Sequence, residues 1–469
     1  GTKIIVTLGP ASADEKTIKR MIEEGVDVFR LNFSHGDHEG HAQSIAKIKQ
    51  LREKLQSNVA ILADLQGPKI RVGEMENGSV YLQAGSETIV TSDEVPGTPG
   101  KISVGYDDFA RDVKSGDIIL LDDGKIKLEV LETDREKNVR CRIIHGGNLL
   151  PRKGVNLPDS DLSLPSLTEK DFEDAEFVIN QKVDWIALSF VRKAKDIESL
   201  KEIIREKNSS ARVMAKIEKP EALRDIDSII EASDAVMVAR GDLGVEMPFD
   251  RIPLIQKDLV KKCIAHARPV IIATQMMESM IGNFQPTRAE ANDVANAVLD
   301  GADALMLSAE TSIGKYPVEA VKNMQKIISW TEDKAYDFHR EHAPEKEKDD
   351  YLPYSICYNA VKMASQTGAR ALVTFTHSGN TVFRTASHRP RAAIYSFTDD
   401  ESLLRQLALV WGVEAFSFSM RKSSDEFFDE TTAYLLKRHL IEKKDIIIHI
   451  GSVPIREKSD TNMMKLSYV

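Results

Sequence analysis

Arg212-Val-Met-Ala-Lys216-Ile-Glu218-Lys-Pro220 and, one unit later, Asp234-Ala-Val-Met-Val-Ala-Arg240-Gly-Asp242-Leu-Gly244 carry the architecture of this chain. Each is a short apolar run of strand length that ends abruptly in charge, and a helix-length segment, residues 221–232, separates them. The pattern is that of a βαβ unit. Side chains alternate along a strand, so Lys216 and Glu218 leave one face together at its carboxyl end, and Asp242 leaves the corresponding end of the next strand. Parallel α/β enzymes build their sites at such tips, and an ammonium between two carboxylates suits a divalent cation with an anionic substrate. An ordinary ion pair at a strand end is the plainer reading of this unit taken alone.

Outward from this unit the same alternation extends to both sides. Strand-like runs at residues 3–8, 27–31 and 59–62 are each followed by polar residues or a helical pattern. The rhythm then breaks. From 72 to 157 helical periodicity disappears, and short β-rich runs at 79–82, 87–91, 117–121, 125–132 and 139–144 are bounded by turn signals such as Asp123-Gly124 and Gly146-Gly147-Asn148. A small all-β domain is therefore inserted into an α/β one. The alternation resumes at Leu167, with strands expected at 185–190, 213–217, 235–239, 270–274 and 304–307. Three strands before the insertion and five after it make eight, the number that closes a TIM barrel. Residues 1–71 with 158–336 come to about 250, the usual size of a (β/α)8 barrel. A doubly wound open sheet is the competing topology. A charged linker at 336–350 leads into a smaller α/β domain, 337–469, with strands expected at 371–375, 392–397, 413–418 and 445–450.

Composition narrows the partners. A length of 469 residues implies several domains, and a net charge of -10 argues against a nucleic-acid or anionic-membrane surface while leaving room for a local basic pocket. No apolar run approaches the roughly 20 residues of a membrane span. The first residues enter a strand without a signal-peptide pattern. Cys141, Cys263 and Cys357 are far apart and form no metal-spaced pair, so a reducing cytoplasm is the expected compartment.

If the barrel closes, its strand tips should form one polar rim. Asn32 and Ser34, Asp64, Ser189 with Arg192, Lys216 and Glu218, Asp242, Thr274 with Gln275, and Ser308 with Glu310 all fall at such tips. Ser189 and Ser308 read more simply as helix caps. The rim offers Arg30, Arg71 and Lys216 to phosphates, and Glu218 and Asp242 to a hard metal ion that keeps some water or substrate ligands. Gly241 lets the backbone approach a ligand where a helix begins.

Arg30-Leu-Asn-Phe-Ser-His-Gly36, Asp64-Leu-Gln-Gly-Pro-Lys-Ile-Arg71, Lys153-Gly-Val-Asn-Leu-Pro158, Met214-Ala-Lys-Ile-Glu218, Met237-Val-Ala-Arg-Gly-Asp-Leu-Gly244 and Ala273-Thr-Gln-Met-Met-Glu-Ser-Met280 together resemble the pyruvate kinase family, in order and from Thr2 to Val469, with Thr287-Arg-Ala-Glu-Ala-Asn-Asp-Val294 in place. The resemblance implies a phosphotransferase acting on phosphoenolpyruvate and ADP to give pyruvate and ATP. It makes Lys216 the group that stabilises the transferring phosphoryl and the enolate oxygen, and Glu218 and Asp242 the ligands of Mg²⁺ or Mn²⁺. Gly241, Asp242 and Thr274 would hold the substrate carboxylate, Arg30 its phosphate, and Arg71, Lys153 and His35 the nucleotide. Lys216 and a water on Thr274 are both open as proton donor to the enolate. The insertion, 72–157, would be a β-barrel lid, and the assembly a cytoplasmic homotetramer.

Two further expectations follow from the resemblance. Asn32, Ser34, Asp64 and Leu65 match positions that hold K⁺ in many members, but Lys69 stands where those members have Glu and Leu65 where they have Thr, so K⁺ is expected not to be required. The loop Thr376-His-Ser-Gly-Asn-Thr381 matches one that binds phosphorylated effectors, which assigns Thr376, Ser378, Gly379, Asn380 and Thr381 to an allosteric site. The later loop 451–462, with Arg456 and Lys458, has Asp460 before Thr461-Asn462 where many members have Gly. A metal-dependent aldolase or lyase acting on an enolate is the second enzymatic reading, and it would need neither Arg71, Lys153 nor the lid.

Overall fold

The computed structural model describes residues 1–335, 338–346, 349–418, 424–454 and 459–469, with the side chains of 424 and 425 outside that description. Eight parallel strands close on themselves: β1 (Lys3–Thr7), β2 (Val28–Asn32), β3 (Ala60–Asp64), β4 (Trp185–Leu188), β5 (Arg212–Ile217), β6 (Ala235–Ala239), β7 (Val270–Ala273) and β8 (Ala304–Leu307). Each pairs with its neighbours in chain order, and β8 returns to β1 through Lys3↔Ala304. The open sheet is thereby excluded. Every second residue faces the barrel interior, where Ile5, Leu62, Trp185, Met214 and Met237 pack, while Val213, Ala215 and Ile217 of β5 face the helices. Lys216 follows Met214 on the inward row.

A repeated acid at the amino-terminal rim, which the sequence reading passed over, ties the strands in pairs. Asp27 before β2 accepts from the Ile4 N–H of β1 at 2.8 Å, and Asp184 before β4 from Ile61 of β3 at 2.8 Å. Asp234 before β6 accepts from Val213 of β5 at 2.8 Å, and Asp303 before β8 from Val270 of β7 at 3.0 Å. Each even strand thus satisfies the first free donor of the odd strand before it, a donor that would otherwise be stranded at a buried sheet end.

The insertion leaves between β3 and β4, which pair directly through Leu62↔Trp185, so the barrel wall is uninterrupted. The inserted segment forms a six-stranded sheet with edges Val155–Asn156 and Lys101–Ser103, a two-stranded sheet of Val80–Leu82 with Gly147–Leu149, and a short helix, Phe109–Asp112. Residues 70–73 run between these two edges: the Val155 N–H donates to the Ile70 carbonyl at 3.0 Å on one side, and the Gly73 N–H donates to the Ser103 carbonyl at 3.0 Å on the other. A correction concerns residues 221–232, which form two helices, Pro220–Arg224 and Ile226–Ala232. They break at Asp225, whose carboxylate turns away to accept from the Ala194 N–H at 3.1 Å.

The carboxyl-terminal part is a five-stranded sheet in the order β11-β10-β9-β12-β13, from β9 (Ala371–Phe375), β10 (Ala393–Thr398), β11 (Val413–Ser417), β12 (Ile446–Gly451) and β13 (Met463–Tyr468). Only β13 is antiparallel, and the sequence reading missed it because its alternation is masked by exposed Met464, Leu466 and Tyr468. This part docks on the amino-terminal rim. Leu409 packs into the barrel interior, Arg405 reaches Asp184 at 3.0 Å, and Arg389 reaches Asp303 at 2.7 Å. Residues 336, 337, 347 and 348 of the expected linker lie outside the described residues.

At that junction the rings of His342 and His388 stack with centroids 4.0 Å apart. Burial lowers His342 to about 4, and burial together with the neighbouring His342 lowers His388 to about 3. In the unfolded chain each imidazole takes its proton near pH 6.5, well before the folded protein does. Stability is therefore complete above pH 6.5 and falls as the pH drops towards 4, by up to about 1.4 kcal/mol per pH unit for each ring. Thermal melts at pH 7 and pH 5 should show a lower midpoint in acid, and His342→Gln with His388→Gln should flatten that drop. An acid drop that survives the double substitution would assign it elsewhere.

Candidate active site

The carboxyl ends of β1 to β5 bring six polar side chains, Thr7, Arg30, Asp64, Ser189, Lys216 and Glu218, into one buried network. Lys216 Nζ lies 3.0 Å from Glu218 Oε1, 3.1 Å from Asp64 Oδ1 and 2.7 Å from Ser189 Oγ. Arg30 donates through Nε to Asp64 Oδ2 at 2.7 Å and through NH1 to Thr7 Oγ1 at 2.9 Å. Ser189 in turn donates to the Leu65 carbonyl at 2.6 Å, and the Phe190 N–H donates to Glu218 Oε2 at 2.6 Å. Each oxygen of Asp64 and Glu218 thus has a donor, and each proton of the Lys216 ammonium an acceptor, which is what makes such a cluster tolerable.

Electrostatics follow from the packing. Burial would lower the Lys216 ammonium, but Asp64 and Glu218 together outweigh it and hold the group well above its ordinary value. Burial would raise Asp64, and Lys216 and Arg30 overcome it, so its carboxyl stays below the usual range. Glu218 is raised, by burial first and then by Asp242 and Asp64, against the pull of Lys216. Three carboxylates, Asp64, Glu218 and Asp242, thus face two cations, Arg30 and Lys216. The deficit is one positive charge.

A second group assembles at the ends of β6 and β7. The helix Arg240–Glu246 starts directly from β6, and the Gly241 N–H donates to Thr274 Oγ1 at 2.7 Å. A Cβ at Gly241 would stand 3.2 Å from that oxygen, tighter than side chains normally pack, so the approach favours glycine. Thr274 and Gln275 hold φ of 67° and 55°, and Phe190 holds 56°; left-handed backbone at three non-glycine residues just past the strand tips is the kind of local strain that clusters at functional sites. Arg240 fixes the turn by donating to the Thr274 carbonyl at 2.9 Å while both its terminal nitrogens meet Asp293 at 2.8 Å. That explains the Thr287–Val294 motif: Thr287 and Glu290 form the capping box of the helix Arg288–Asp300, which presents Asp293.

The remaining predicted residues fall into separate places. Arg71 and Lys153 are brought side by side where the chain enters and leaves the insertion, through the bridge Arg71↔Gly154 and the bond from the Val72 N–H to the Lys153 carbonyl at 2.9 Å. Lys153 is paired with Asp122 at 3.0 Å. His35 lies on the exposed loop after β2, and its carbonyl meets His41 Nε2 at 2.9 Å. Asn32, Ser34, Asp64 and Leu65 do come together, Asn32 opposite Asp64 in register and accepting from the Ser34 N–H at 3.1 Å. Lys69 does not join them. The turn at Gly67, φ 72°, sends it towards the insertion, where its Cε would be 3.4 Å from a Cβ at Gly154, and among the described residues it makes no ion pair.

After β9, Gly379 N–H donates to Thr376 Oγ1 at 2.8 Å, Asn380 N–H to Ser378 Oγ at 3.4 Å, and Thr381 Oγ1 lies 2.7 Å from Thr461 Oγ1. Arg212 donates to the Ser378 carbonyl at 2.6 Å. Residues 455–458 of the later loop, with Arg456 and Lys458, lie outside the described residues.

The sequence reading missed Thr7, Phe190, Arg240 and Asp293 and treated Ser189 as a cap. Each sits at a strand tip or in a quoted motif, but only the pairing geometry gives it a partner. Among the described residues no three His, Cys, Asp or Glu side chains are clustered for a metal. Glu218 and Asp242 alone, with oxygen donors only, fit a hard cation that completes its shell from water and substrate, and they do not fit a soft metal.

Comparison with known proteins places these features in context. Residues 1–321 match the family described as pyruvate kinase, barrel domain, and residues 354–467 match pyruvate kinase, alpha/beta domain. Pyruvate kinases from Staphylococcus aureus strains MRSA252 and USA300 are each 43% identical over 471 aligned residues, covering 100% of this chain and 80% of theirs. A crystal structure of a pyruvate kinase from Cryptosporidium parvum superposes with a TM-score of 0.92 at 34% identity, over 100% of this chain and 96% of that one.

Proposed function

The chain belongs to the pyruvate kinase family and transfers the phosphoryl group of phosphoenolpyruvate to ADP, and we propose that Lys216, held between Asp64 and Glu218 at the barrel mouth, is the group that carries the transfer. The single observation behind this is the engaged ammonium itself: it is buried, charged and flanked by acids, so it meets a migrating phosphoryl group by exchanging one of its three present partners for a phosphoryl oxygen. As the phosphoryl leaves, the same ammonium faces the enolate oxygen.

The other roles follow from position. Arg30 meets the phosphate of phosphoenolpyruvate, and Gly241, Asp242 and Thr274 hold its carboxylate at the start of the helix Arg240–Glu246. Arg71, Lys153 and His35 take the nucleotide beneath residues 72–157, which act as a lid that excludes water. Glu218 and Asp242 hold Mg²⁺ or Mn²⁺, supplying the positive charge that the cluster lacks. When bound, that ion withdraws charge from the phosphoryl and enolate oxygens. Ser189 and Phe190 keep Glu218 and Lys216 in place throughout. The reading also takes residues 1–71 with 158–336 as the catalytic domain and 337–469 as a regulatory one, in which Thr376, Ser378, Gly379, Asn380 and Thr381 receive a phosphorylated effector, within a cytoplasmic homotetramer. Among the described residues no helix is long and apolar enough to cross a membrane.

The monovalent site is filled from within. Both oxygens of Asp64 are taken by Arg30 and Lys216, and the Leu65 carbonyl by Ser189, which leaves little for K⁺ to bind. Pyruvate release in a coupled assay tests both ions together: removal of the divalent ion by a chelator should abolish activity, whereas tetramethylammonium in place of K⁺ should leave it near its full value. A loss of several orders of magnitude in tetramethylammonium would sink the K⁺ reading, and full turnover without a divalent ion would sink the metal one.

A further inference from the structure

Glu246 ends the helix that carries Asp242, and its side chain is 1% exposed. Its Oε1 is shared by two donors, Lys219 Nζ and Asn156 Nδ2, the latter at 2.8 Å, while Oε2 has no partner among the described residues. Lys219 follows Glu218 directly in the chain, and its ammonium lies 5.8 Å from the centre of the Phe190 ring, the residue whose N–H holds Glu218. Asn156 belongs to the last strand of the insertion, Val155–Asn156, three residues beyond Lys153. One carboxylate oxygen therefore joins the return strand of the lid, the segment bearing Glu218 and the helix bearing Asp242.

We propose that Glu246 is a positioning residue that latches the return strand of the lid to the helix bearing Asp242 and, through Lys219, to the segment bearing Glu218. The proposal rests on the reading in which Glu218 holds the metal and Lys153 the nucleotide. Its physical basis is an asymmetry between the two donors. Lys219 is locked to Glu246, because separating a buried ion pair leaves two uncompensated charges. Asn156 is neutral and comes from an element able to move, so lifting the lid breaks only the Asn156 bond. That bond is charge-assisted, and its loss strips a buried carboxylate of one of its two donors. The turn at Gly124 lies close to the same helix, where a Cβ would stand 3.7 Å from Val245 Cγ1. A nucleotide bound beneath the lid needs it seated, so the strength of the latch appears in the KM for ADP, while the metal side feels the same carboxylate through Lys219.

Asn156→Ala removes one donor without creating a buried charge, and its fold is safe because Asn156 is only partly buried at a sheet edge. The expected result is a rise of about tenfold in the KM for ADP, with kcat and the KM for phosphoenolpyruvate within about twofold, and faster amide hydrogen exchange over residues 153–157. Lys219→Met acts on the same oxygen, so its effect and that of Asn156→Ala should not multiply in the double variant. An unmoved KM for ADP together with unmoved exchange, or fold-changes that do multiply, overturns the latch. Lys153→Ala separates the two readings: if it leaves the KM for ADP unchanged, the nucleotide assignment fails, and the exchange of residues 153–157 in Asn156→Ala still decides the latch.

Discussion

Replacing Lys216 by methionine is expected to lower kcat on the order of 10³-fold, with a much smaller change in the KM for phosphoenolpyruvate. One preorganised donor aimed at developing charge is worth roughly 10² to 10³ in rate, and Lys216 faces both the migrating phosphoryl and the enolate. A loss confined to kcat marks an interaction made in the transition state and not in the ground state. The substitution also strips Asp64 and Glu218 of a shared partner, and buried carboxylates without a counter-charge are costly. Circular dichroism and a thermal melt should therefore accompany the assay, so that a folded but slow enzyme is told from an unfolded one. Lys216→Arg is not a gentle control, because a planar fork cannot occupy a position built for three bonds at 2.7 to 3.1 Å around one nitrogen. A folded Lys216→Met protein that retains a tenth of its turnover would remove Lys216 from the chemistry.

Arg389→Met should produce the largest loss of stability of any single change outside the active site, about 3 to 5 kcal/mol. Arg389 is 1% exposed and sits between the barrel and the carboxyl-terminal sheet, with NH2 donating to the Gly301 carbonyl and Asp303 Oδ2, each at 2.7 Å, NH1 to the Ala386 carbonyl at 2.8 Å, and its guanidinium 5.2 Å from the centre of the Trp411 ring. Asp303 also accepts from the Trp411 N–H at 3.0 Å and from Val270, so the loss of Arg389 leaves a buried charge at the point where two domains and two strands meet. Unfolding of the variant should separate into two transitions. Asp303→Asn in the Arg389→Met background should recover part of the loss by removing that charge, and kinetics below the first transition should stay near those of the parent, because the pair lies at the opposite end of the barrel from Lys216. A cost below about 1 kcal/mol would show that this ion pair contributes little to holding the two parts together.

Much of the fold was legible because its signals are local. Runs such as residues 213–217 and 235–239 have strand composition, and their spacing around helix-length segments gave eight barrel strands. The insertion announced itself where helical periodicity stopped. What escaped was short or exposed: β13, whose outer face reaches solvent, and the break at Asp225. Asp27, Asp184, Asp234 and Asp303 were in plain view, each just before an even strand, yet their task of capping the preceding odd strand appears only once the strands lie side by side.

The site divides in the same way. Residue types at the strand tips, Lys216 and Glu218 above all, and the glycine at 241 are properties of the sequence, since alternation along one strand fixes what leaves its end together. The partners are not. Asp64 on β3 meets Lys216 on β5 across the tip of β4, where Ser189 and Phe190 complete the ring, and Lys69 turns away from the cluster its sequence position promised. Contacts of about 3 Å between residues more than a hundred positions apart are set by closure of the barrel, which no local pattern encodes.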